Sequence, residues 1–238
     1  RAYRVKDPRI KVHYRSENGH ISKTSNDALA LAEGEFVVLM DHDDLLAGNA
    51  LEEIVLALQK HPQTDLLYSD EDKIDELGIH SVAHFKPDWC PDHLLSRNYI
   101  GHVVVLRRSL VHEVGGFRTG FEGSQDYDLL LRITERTNRI VHIPKVLYHW
   151  RIHQLSTAQG GDVKPYAYMA AKRALEEACL RRGMQVNVKY LQGLRGYRIS
   201  YPLSEQPLVS IVIPSKDQNE LLKNTIDSLV KKTQYPFY

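Results

Sequence analysis

The sequence predicts an α/β protein in which helices flank a largely parallel sheet. Three observations carry that prediction. Apolar runs of strand length alternate with stretches of helical periodicity between Ile21 and Ser69. One of these runs, Phe36 to Met40, is apolar throughout, the pattern of a strand covered on both faces. Carboxylates follow it at once, Asp41, Asp43 and Asp44 around His42, at the strand end where open α/β sheets bind their ligands.

The elements follow in order. Arg9 to Tyr14 alternates polar and apolar residues and predicts a half-buried strand, closed by an Asn18-Gly19 turn. Ile21, Ala28, Leu29 and Ala32 fall on one helical face, and Gly34 ends that helix. After the Phe36–Met40 strand, Leu51, Ile54, Val55 and Leu58 share a stripe of a helix from Asn49, its cap, to Lys60, with Pro62 as the stop. Leu66 to Ser69 is a strand. Asp70-Glu-Asp72 then reads as an acidic surface turn, and Phe85 to Trp89 as irregular chain. Val103 to Leu106 is a short strand. Arg108 to Val114 is a helix ended by Gly115-Gly116, and Gln125 to Arg136 is an amphipathic helix with acids in its first turn, as the helix dipole prefers. Ile140–Ile143 and Val146–Trp150 read as paired strands around Pro144. Beyond Gly160-Gly161, Tyr166 to Arg182 is a helix with Ala171, Ala174, Leu175 and Ala178 inward. A strand, Leu208 to Ile213, and a helix, Asn219 to Val230, close the chain.

Bulk composition narrows the function. The 238 residues are 42% hydrophobic and 26% charged, ordinary for a globular protein, and the net charge of +1 supplies no global field for nucleic acid or an anionic membrane. Cys90 and Cys179 have neither metal-ligand spacing nor a disulfide framework, which points to reduced thiols. No apolar run approaches the ~20 residues of a membrane span, and no signal peptide is visible.

The chemistry concentrates in three clusters. Asp41, Asp43 and Asp44 together cost repulsion and desolvation unless a cation or donors compensate, and an oxygen-rich set suits Mg²⁺ or Mn²⁺. The bland alternative makes Asp44 a cap of the following helix, but one cap needs one carboxylate. A haloacid-dehalogenase-type phosphatase fits poorly, because Leu45 stands two places after Asp43 where that pattern wants Thr or Val. Gln125-Asp-Tyr-Asp128 follows a glycine-rich loop, so Asp126 either faces a cleft or merely serves the helix dipole. His149 and His153 are four apart, but Trp150 stands where a zincin has its glutamate. Dinucleotide, P-loop and nucleophile-elbow motifs are absent from the sequence.

Taken in order, Gly34-Glu-Phe-Val-Val-Leu-Met-Asp-His-Asp-Asp44, Gly115-Gly-Phe117, Gly123-Ser-Gln-Asp-Tyr-Asp-Leu-Leu-Leu-Arg132 and Leu147-Tyr-His-Trp-Arg151 resemble the family 2 glycosyltransferases. Their flavour is that of the O-antigen and rhamnan-type enzymes with tandem domains. The resemblance implies a GT-A fold, a Rossmann-like mixed sheet flanked by helices, and an inverting transfer from a nucleotide-sugar donor to a glycan or lipid-linked glycan acceptor in cell-surface polysaccharide synthesis. It implies Asp126 as general base. Asp43, Asp41 and His149 would be ligands of Mn²⁺ or Mg²⁺, with His153 the alternative to His149. Asp41, Asp44, Lys23 and Asn26 would bind the donor, and Gln125 and Asp128 the acceptor. Residues 1–160 would form a transferase domain lacking its opening strand, 161–207 a helical extension and linker, and 208–238 the first strand and helix of a second such domain, the chain being a fragment of a longer protein. The expected location is cytoplasmic, at the inner membrane face, with peripheral association through the full-length protein and no nucleic-acid partner. Competing readings are a metal phosphohydrolase on the same aspartates and a non-catalytic carbohydrate-binding scaffold.

Overall fold

The computed structural model describes residues 2–152 and 165–238. Its elements run α1 (Ala2–Lys6), α2 (His20–Ala30), β1 (Phe36–Leu39), β2 (Leu45–Leu46), α3 (Ala50–Lys60), β3 (Leu66–Ile74), β4 (His80–His84), α4 (Pro91–Ser96), β5 (Val104–Arg107), α5 (Arg108–Glu113), α6 (Gln125–Thr134), β6 (Ile140–Arg151), α7 (Pro165–Arg181), β7 (Asn187–Leu191), β8 (Gly196–Ser200) and α8 (Asn219–Lys232). Two compact units emerge, residues 1–200 and 201–238.

The first unit is organised by a six-stranded mixed sheet in the order β1-β5-β3-β6-β2, with β4 on the distal part of β3. Among the described residues β3 and β6 run parallel, and β1·β5, β3·β5, β2·β6 and β3·β4 are antiparallel. Side chains alternate between the two faces, as a pleated strand requires. Leu66, Tyr68, Val104 and Leu106 meet Leu129, Leu130 and Ile133 of α6 and Ala174 and Leu175 of α7 on one face. Leu67, Val103 and Val105 meet Ala50 and Ile54 of α3 on the other. Full burial of each such aliphatic chain contributes about 1.5–3 kcal/mol. The four inward residues expected on the helix at 166–182 are buried on α7, and that helix shares its core with α6.

Several local expectations are corrected. Residues 9–14 form no strand: the alternation instead points Lys11 at Glu33, and His13 and Arg15 at Asp27 beside α2. β1 is not covered on both faces but half-buried, paired with β5 alone. The two strands around Pro144 are one strand, parallel to β3, whose register skips from Ile143 opposite Ser69 to Val146 opposite Asp70. A bulge there absorbs the proline, which has no N–H for the ladder. Of the α3 stripe only Ile54 is buried, while Leu51 and Val55 are exposed. Asn49 precedes α3 without a side-chain capping bond. Asp70-Glu-Asp72 is no surface turn; it continues β3, with Asp70 and Glu71 buried.

In the second unit α8 covers the expected helix, whereas Leu208–Ile213 forms no strand and is exposed. Its backbone tie is Val209 N–H to the Phe237 carbonyl. An apolar β-rich run becomes a strand only where another edge accepts its hydrogen bonds. Gly160 and Gly161 lie outside the described residues.

Candidate active site

β1 delivers the chain to an open cleft of about 430 Å³ between the strand and α2, with Met40, Asp41, His102 and Asp126 in its wall. The acidic turn at its rim is pinned from below. Tyr148 donates its hydroxyl hydrogen to Asp44 Oδ2 at 2.6 Å and accepts the Asp41 N–H at 3.1 Å. Asp44 Oδ1 accepts the Arg151 N–H at 2.8 Å, and Arg151 Nε donates to the Asp43 carbonyl at 2.7 Å. Burial pushes the Asp44 carboxyl up, against the pull of Tyr148 and Arg151. Asp44 therefore ties the turn to β6 and is committed away from a donor. It is not the cap of α3 either, which starts six residues later. Its burial holds its neighbours outward: the Asp41 side chain is 48% exposed and that of Asp43 31%.

Asp126 approaches the same cleft from the start of α6. The turn before it is set by Gly123 at φ +84°, whose N–H donates to Gln125 Oε1 at 2.8 Å. The Gln125 amide then donates to both oxygens of Asp126 at 3.1 Å. Burial raises the Asp126 carboxyl above the ordinary range and the Asp41 charge adds to that; His102 and Gln125 pull the other way. Such a carboxylate is a better proton acceptor than a solvated one. Gln125, buried with both amide ends engaged, positions Asp126 and is not available to an acceptor.

His102, which the sequence reading did not single out, joins the two aspartates. Its Nε2 stands 3.6 Å from Asp41 Oδ2 and its ring stacks on Tyr148 at 4.7 Å. A buried network sets it there. Glu71 Oε2 accepts the His102 N–H at 2.7 Å, and the Lys86 ammonium donates to Glu71 at 3.2 Å and to the Ile100 and His102 carbonyls. Burial alone would raise Glu71; His84, Lys86 and the His102 N–H overcome it and hold the carboxyl at about 2. Burial outweighs Glu71 at Lys86, whose ammonium falls below its ordinary value. Gly101, at φ +51°, is required: a Cβ there would meet Glu71 Oε2 at 2.6 Å. The missed signal was the acidic segment itself, since three carboxylates directly after an apolar strand demand buried partners such as Lys86.

The other expected residues are dispersed. Asp128 is fully buried and held by Arg118 and Arg132, so it braces α6 rather than an acceptor. Asn26 makes two 2.8 Å bonds with the Phe117 backbone and clasps α2 to the Gly115–Gly116 turn. A Cβ on Gly116 would meet its Oδ1 at 2.6 Å. Lys23 is exposed on α2. His149 lies beside Leu45 in the β2·β6 register, and its Nδ1 is 2.6 Å from Asp72 Oδ1. His153 lies outside the described residues. Among the described residues no helix is long and apolar enough to cross a membrane.

Three comparisons bear on this geometry. Residues 1–118 match the model of glycosyl transferase family 2. The uncharacterized protein y4gI of Sinorhizobium fredii is 46% identical over 99% of this chain and 26% of its own length. The O-antigen biosynthesis protein RfbC of Myxococcus xanthus is 40% identical over 98% of this chain and 18% of its own. The chain thus spans about a quarter or less of these relatives. The crystal structure of S. aureus TarS 1-349 in complex with UDP-GlcNAc superposes with a TM-score of 0.56 at 20% identity, over 71% of this chain and 50% of that one. The shared feature is the fold, the mixed sheet flanked by helices.

Proposed function

This chain belongs, through residues 1–118, to glycosyl transferase family 2, and on that premise we propose that it takes part in an inverting, metal-dependent sugar transfer. The donor is a nucleotide-activated sugar and the acceptor a hydroxyl of a growing cell-surface glycan. The M. xanthus relative, an O-antigen biosynthesis protein, supports the setting, and the donor-bound TarS complex supports the donor class by analogy. The observation that carries the chemistry is the meeting of Asp126, Asp41 and His102 in one cleft.

In this reading Asp126 takes the proton from the acceptor hydroxyl while that oxygen bonds to the anomeric carbon. The bond from that carbon to the diphosphate oxygen breaks in line, which inverts the configuration. Gln125 keeps the Asp126 carboxylate aimed into the cleft. Asp41 and Asp43 offer outward carboxylates at the strand end, a donor set that fits a hard divalent cation, Mn²⁺ or Mg²⁺. Such an ion, when bound, neutralises charge on the departing diphosphate. His102 Nε2 faces the Asp41 carboxylate across 3.6 Å. His149, expected as a ligand with Asp41 and Asp43, has its Nδ1 2.6 Å from Asp72 Oδ1.

The test is a panel of nucleotide sugars with Mn²⁺ and a glycan acceptor, with the anomeric configuration of the product read by NMR. The expected product carries the anomeric configuration opposite to that of the donor. Retained configuration would overturn the single-base mechanism. Phosphate release from a simple phosphoester, without transfer, would favour the phosphohydrolase reading.

A further inference from the structure

Where β3, β4 and β6 lie side by side, Asp72, His80 and His149 converge. The parallel register sets Asp72 opposite His149, and the β3–β4 hairpin folds His80 back over them. One Asp72 oxygen lies 2.6 Å from His149 Nδ1 and the other 2.9 Å from His80 Nδ1. The two rings meet edge to face at 4.6 Å. One ligand atom from each residue falls within 4.8 Å of the others. We propose that these three residues form a binding site for a divalent transition-metal ion, separate from the oxygen site at Asp41 and Asp43.

The donor types argue for this class of ion. Two imidazoles and one carboxylate suit Zn²⁺, Co²⁺, Ni²⁺ or Fe²⁺, and are poor for Mg²⁺ and Ca²⁺, which take oxygen. Ligand bonds of about 2.0–2.2 Å set neighbouring ligand atoms roughly 3.0–3.5 Å apart, so the Asp72 pairs at 2.6 and 2.9 Å must open slightly to admit the ion. The half-exposed His80 ring on its hairpin can supply that movement, since its side chain is 50% exposed while those of Asp72 and His149 are 12% and 15%. Three protein ligands leave at least one position for water or a substrate oxygen, the arrangement of catalytic rather than structural sites. The placement is near the transferase centre in the fold: Leu45, paired with His149, lies two residues beyond Asp43. The site itself does not depend on the transferase reading, because it requires only that the three side chains bind an ion.

The experiment titrates the purified chain with Co²⁺, following visible d–d absorption, and with Zn²⁺ by calorimetry, in 5 mM Mg²⁺. It compares wild type with His80→Ala, Asp72→Asn and Asp43→Ala, and checks thermal melting of each variant. Expected is one equivalent of Co²⁺ bound with nitrogen-type absorption. Affinity should fall at least about tenfold in His80→Ala and Asp72→Asn and stay unchanged in Asp43→Ala. His80→Ala keeps the test sound if Asp72→Asn melts early, because His80 is the exposed member. The proposal is overturned if Co²⁺ and Zn²⁺ do not bind, if His80→Ala binds as wild type does, or if Mg²⁺ displaces the ion at equal concentration. Loss of binding in Asp43→Ala with His80→Ala unaffected would place the ion at the oxygen site instead. Failure of nucleotide-sugar transfer alone would leave the metal titration as it is, so the two readings fail separately.

Discussion

Two acidic triplets follow apolar strands in this chain, and they have opposite fates. Asp41-His-Asp-Asp44 ends β1 with one carboxylate buried and two turned outward. Asp70-Glu-Asp72 continues β3 with its first two carboxylates sunk into the sheet end, where Lys86, His142, His84 and the His102 N–H hold them. The difference lies in what the rest of the fold brings to each. At β3, distant chain segments supply a buried ammonium and several histidines. At β1, Tyr148 and Arg151 hold the buried Asp44 carboxylate. Asp41 reaches the cleft wall, while Asp70 and Glu71, wrapped in donors, hold the sheet end.

The sharpest way to break that comparison is Lys86→Met, which leaves Glu71 buried without its cation. Denaturant unfolding should show a loss of about 3–5 kcal/mol, whereas Asp41→Asn should change stability by less than about 0.5 kcal/mol. Similar losses for both would erase the distinction between the triplets. Next is Asp43→Ala, expected to weaken Mn²⁺-dependent nucleotide-sugar affinity at least about tenfold, or about 1.4 kcal/mol. Unchanged calorimetric affinity would remove Asp43 from the ion's shell. A smaller effect concerns pH. The base must be ionised, so kcat/KM should fall as pH drops through the raised Asp126 value, giving an acid limb above the ordinary carboxylate range. Because the Gln125 amide favours the anion, Gln125→Ala should move that limb to still higher pH. A limb that stays in place would show that the amide does not tune the base. Glu71 gives the mirror-image trend in stability. Its folded value of about 2 lies below the ordinary value of 4.5, so the stability it contributes is present above pH 4.5 and is lost as pH falls toward 2. Acid melts that show no decline across that window would contradict the network.

The sequence made the helices legible because their apolar spacing is local: α6 and α7 begin and end within two residues of expectation. Asp126 was legible for the same reason, as an acid at a helix start behind glycines. Strand partners were not. β1 turned out to pair antiparallel with β5, and the run at Pro144 to be one bulged strand, because both depend on which edge is next door. Four expected ligands carry local pairings that no residue spacing reveals: Asp44, Asp128, Gln125 and Asn26 each hydrogen-bond or ion-pair with named neighbours. His102 went unseen because its signal lies elsewhere in the chain, in the Asp70-Glu-Asp72 carboxylates whose buried partners place it. Only the network from Glu71 and Lys86 shows why it sits where it does.

The role of Asp126 as the base of the cleft is tested by the transfer rate of Asp126→Asn. With donor and Mn²⁺ saturating, single-turnover transfer should fall by about 10²–10⁴, with wild-type melting and donor affinity. Transfer at the wild-type rate would contradict the assignment of the base and with it the account of the cleft.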